Sequence, residues 1–94
     1  MASEMQIGDA MNTYNAALLT LKARQYTVWL EPGENEEESG YWHAKRDNID
    51  FIAFDPLRLL GLVAIWEQRG NHWERTQNEG DIYDELLTQA YGED

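Results

Sequence analysis

Apolar residues recur along this chain at two periods, and the change of period divides it into elements. Tyr14, Ala17, Leu18 and Leu21 fall at helical spacing. They predict a first helix capped by Asn12 or Thr13 and running through Asn15 to Arg24. From Tyr26 the period drops to two. Tyr26, Val28 and Leu30 alternate with Thr27, Trp29 and Glu31, which predicts a strand that Pro32-Gly33 ends. Tyr41 to Lys45 repeats the pattern, with Tyr41, His43 and Lys45 on one face and Trp42 and Ala44 on the other. Ile49 to Phe54 does so again, with Ile49, Phe51 and Ala53 opposed to Asp50, Ile52 and Phe54. Arg46, Asp47 and Asn48 make a tight polar connection. Asp and Asn tolerate left-handed backbone, so the last two strands should pair as an antiparallel hairpin.

The helical period then returns. Asp55-Pro56 combines an N-cap with a proline at the first helical position, and Gly70 closes the predicted helix after Arg69. Leu57, Leu59, Leu60, Leu62, Val63, Ile65 and Trp66 cover more than one stripe of it. It should therefore be the central packing element, or face a partner with part of its surface. Gly61, mid-helix, suggests a close approach by the sheet. His72 to Arg75 can form a short extra strand. Asp81 caps a final helix whose stripes are Ile82, Leu86, Ala90 and Tyr83, Leu87, Ala90, ending at Gly92.

The expected fold is α+β, a three-stranded antiparallel sheet packed against two or three helices in the order α-β-β-β-α-α. So few strands need a covering layer. Residues 1–11 read as a flexible N-terminal tail and residues 12–94 as a single compact acidic domain.

Charge sharpens this picture. Eighteen acids oppose seven bases, for a net charge of -11. The apolar runs argue for a folded domain despite that charge. The bases are scattered, so direct nucleic-acid binding and attachment to an anionic membrane are both disfavoured. The chain has no cysteine, which removes disulfides and thiolate metal sites. Met1 to Gly8 lacks the pattern of a signal peptide, and a cytoplasmic protein is the default expectation.

No catalytic motif is present, neither a phosphate-binding glycine loop nor HExxH nor a nucleophile elbow. The glutamate run lacks the spacing of a calcium loop. No metal or cofactor is expected. His43 and His72 read as unrelated surface or boundary residues, and an acid–base pair between His43 and a carboxylate is the catalytic alternative. Two features point to binding. One is the acidic loop with Glu34, Glu36, Glu37 and Glu38. The other is the pair Trp29 and Trp42, which form an exposed aromatic patch if both face outward. Glutamates would steer a basic partner protein, and tryptophans would anchor it. The leading expectation is a non-catalytic adaptor or inhibitor of a basic protein. Self-association as a homodimer through the apolar Leu57 to Trp66 helix is the rival.

Overall fold

The computed structural model describes residues 4–35, 40–74 and 80–92. Its elements are α1 (Met11–Ala23), β1 (Thr27–Glu31), β2 (Tyr41–Arg46), β3 (Ile49–Ala53), α2 (Pro56–Arg69), a 3-10 turn (Gly70–His72) and α3 (Ile82–Tyr91). The strands form one open antiparallel sheet in the order β1-β2-β3. The chain is thus an α+β protein with the element order that the hydrophobic pattern predicts.

Local chemistry explains where each element begins and ends. α1 starts at Met11, earlier than a cap at Asn12 or Thr13 would allow. Thr13 instead works from inside the first turn, where its Oγ1 accepts the Ala10 N–H at 3.3 Å. At the other end, Gln25 donates to the Lys22 carbonyl and Tyr26 to the Leu21 carbonyl. This is a Schellman ending with Gln25 at φ 76°, a place usually given to glycine. The hairpin between β2 and β3 turns on Asp47, also left-handed at φ 56°. Asp55 caps α2 by accepting the Arg58 N–H at 2.8 Å, and Gly70 ends it at φ 61°. After it the chain makes a 3-10 turn over Gly70–His72, with no strand at His72 to Glu74; Arg75 lies outside the described residues.

One face of the sheet carries the core. Leu21 and Tyr26 from the α1 end, Ala44 and Ala53 from the sheet, and Leu59 and Val63 from α2 form a buried cluster. Val28, Trp42, Phe51, Leu60 and Leu62 pack around it. Small Ala44 lets the helices approach the sheet, and fully buried Leu59 fills the space. Truncating such a leucine to alanine costs about 2–5 kcal/mol.

A polar clamp ties the ends of three elements together. Glu67 of α2 pairs with Arg24 and accepts the Tyr26 hydroxyl at 3.1 Å. Arg46 donates to the Arg24 carbonyl at 2.9 Å while its guanidinium lies over the Tyr26 ring. The Arg24 hydrogen bond holds the Glu67 carboxyl below its ordinary range, and burial pushes the Tyr26 hydroxyl up.

One expectation about packing is corrected. Gly61 is not a close-approach point, since a Cβ there would meet nothing within 4 Å. It faces an open groove. α3, capped by Asp81 through the Asp84 N–H, exposes all of its residues.

Candidate functional site

The strand register sorts side chains onto two faces. Trp29 pairs with His43, Thr27 with Lys45 and Glu31 with Tyr41 across β1 and β2. His43 pairs with Ile52, and Lys45 with Asp50, across β2 and β3. All of these belong to the face opposite the core. The helices leave this face uncovered, yet His43 is only 6% exposed.

Trp29 explains that burial. Its ring stacks on the His43 imidazole with centroids 4.7 Å apart and planes 6° from parallel. Two carboxylates close the edges of the imidazole. Glu31 Oε1 lies 2.7 Å from Nε2, and the Asp50 oxygens lie 3.0 and 3.1 Å from Nδ1. The hydrogen bond with Glu31, then that with Asp50, raises the His43 pKa above its ordinary value, against a smaller opposing effect of burial. As an imidazolium, His43 donates from both nitrogens, and the three groups together carry one negative charge. The histidine therefore holds two carboxylates and an indole in fixed positions.

A general base needs a ring nitrogen open to its substrate. Here both nitrogens face carboxylates. Among the described residues no cluster of three or more His, Cys, Asp or Glu side chains has the arrangement of a metal site. His72 lies exposed in the 3-10 turn after α2.

The residues singled out from sequence scatter. Trp29 is on the open face and 39% exposed. Trp42 is half-buried on the opposite face, against the core. One residue of offset in a strand reverses the face, so the two tryptophans cannot form one patch. Glu34 is exposed just beyond β1, and Glu36, Glu37 and Glu38 lie outside the described residues. The loop that carries them returns at Gly40, where any Cβ would collide with the Glu31 carbonyl oxygen. Sequence reasoning missed Glu31, His43 and Asp50 as a unit. The signal was present in the strand alternation, which gave Trp29 and Glu31, His43, and Asp50 each to one face of its strand. Only the register joins them.

No family model, curated protein or solved structure matches the chain, so the site itself carries the functional argument.

Proposed function

We propose that this is a small, acidic, non-catalytic binding domain whose open sheet face receives a basic surface of another protein. The observation that carries this reading is the Trp29–His43 stack braced by Glu31 and Asp50. An exposed indole supplies desolvated area and a π face for a lysine or arginine of the partner. Glu31 and Asp50 keep exposed carboxylate surface beside it. Their positions are fixed before binding, which lowers the ordering cost of association. The net charge of -11 adds long-range attraction. With both His43 nitrogens occupied, the geometry lends no support to the histidine–carboxylate enzyme. The reading belongs with a cytoplasmic setting, which a cysteine-free chain suits. Among the described residues no helix is long and apolar enough to cross a membrane.

The test is to capture partners on the immobilised chain and to measure the affinity of each by calorimetry at low and high salt. The expected partner is basic and its affinity falls as salt rises. Trp29→Ala should weaken it by about tenfold or more while leaving the fold intact. A neutral or acidic partner, a salt-independent affinity, or indifference to Trp29→Ala would refute the reading.

A further inference from the structure

α2 and β3 leave an apolar groove between them. Tyr41, Ile52, Phe54, Leu62 and Ile65 line about 490 Å³, opened further by the missing side chain of Gly61, with Arg58 at the rim. A hollow of about 330 Å³ shares Ile52 and Leu62 with it and reaches Trp66 and Trp73. Elsewhere in the same chain, α3 presents an apolar surface with no cover. At the angular spacing of an α-helix, Ile82, Leu86, Ala90, Tyr83, Leu87 and Tyr91 occupy one half of its circumference. Asp84, Glu85, Thr88 and Gln89 occupy the other. Leu86 is 55% exposed and Leu87 40%.

We infer that the groove is an interface between two copies of this chain, each filling it with the α3 of the other. The groove borders the Trp29 face, sharing Tyr41 and Ile52 with it, but the Trp29–His43 stack takes no part in the inference. Both surfaces are apolar, and both stay open within one chain. The radius of gyration is 16.9 Å, against about 12 Å for a compact chain of this length. Charge sets the direction. The first turn of α3 is acidic, with Asp84 and Glu85, and the helix holds no base. Arg58 at the groove rim stands in the first turn of α2, whose amide end also favours acids. Matching these ends runs α3 parallel to α2. A helix hairpin within one chain would run it antiparallel instead, bringing its acids to the carbonyl end of α2. A parallel return would have to cross the whole length of α2 within the twelve residues 70–81, three of them held in the 3-10 turn. A second copy is free of that constraint. A single ten-residue helix covers only part of the roughly 800 Å² per partner of a stable interface. Reciprocal exchange doubles the contact, and two-fold symmetry closes the assembly.

The test is sedimentation equilibrium of the full chain over rising concentration, with circular dichroism as the check on folding. The expected result is a mass that doubles by the high micromolar range. Leu86→Glu with Leu87→Glu should keep the chain monomeric without loss of structure, because both side chains are already exposed. Ile65→Glu, in the groove, should do the same. Mixing the two variants should restore a weaker heterodimer, which keeps one intact helix–groove contact. A wild-type chain that stays monomeric overturns the inference. So does a dimer that ignores the α3 substitutions, or a monomer whose radius grows when they are made, since α3 would then occupy its own groove.

Discussion

His43 touches two acids and an indole, and its protonation decides whether all three contacts hold together. Glu31 and Asp50 face its nitrogens, Trp29 covers its ring, and Tyr41 and Lys45 flank it on β2. Its folded pKa is raised above the ordinary 6.5. The stabilisation it provides is therefore complete below about pH 6.5 and is lost as pH rises through the folded value. Above that, a neutral ring donates from one nitrogen only, and one carboxylate loses its donor. His43→Gln should cost about 1–2 kcal/mol near pH 6, a figure kept low because Glu31 is well exposed. It should also flatten the decline above pH 6.5. Urea unfolding across a pH series measures both effects. Identical pH profiles for the two proteins would mean that the imidazole is not the titrating group.

The ends of the elements show how much of this fold was readable before its structure. The Asp55 cap and the Gly70 stop act through neighbours in the chain, and both were legible in the sequence. The end of α1 was placed at Arg24, its C-cap, but the left-handed turn that follows was not legible, because its residue is Gln25 rather than glycine. The surrounding contacts override the local preference: Leu21 and Tyr26, which close the Schellman bonds, are both core residues. A left-handed non-glycine residue costs about 1–2 kcal/mol. Gln25→Gly removes that strain, while the looser unfolded chain takes back about 0.4–1 kcal/mol. The variant should be more stable by roughly 0.5–1 kcal/mol, seen as a higher urea midpoint at unchanged slope. Strand faces were legible in the same partial way. The alternation separated Trp29 from its neighbours correctly, but it could not say which face the helices cover. That choice rests on small Ala44 and Ala53 sitting beneath Leu59 and Val63. The His43 site was hidden for a related reason. Its acids stand twelve residues before it and seven after it, and only the ladder joins them.

At the scale of the whole molecule, the same charge acts on stability and on association with opposite signs. Even if each of the seven bases paired with an acid, eleven of the eighteen acids would remain uncompensated. Pairs such as Arg24–Glu67 and Asp55–Arg58 are local, while the repulsion extends over the whole surface. The screening length falls from about 30 Å at 0.01 M salt to about 8 Å at 0.15 M, which removes most repulsion between separated groups and spares close pairs. Added salt should therefore raise the urea midpoint of the isolated chain. It should also ease the approach of two like-charged copies through the α3 groove. A basic partner on the Trp29 face should respond the other way, losing affinity and mainly association rate over the same range. Unfolding and binding measured in one salt series separate these effects. A midpoint that falls with salt would mean that the close ion pairs outweigh the repulsion. The acidity would then belong chiefly to the stability of the fold, and long-range steering of a partner would lose its main physical support.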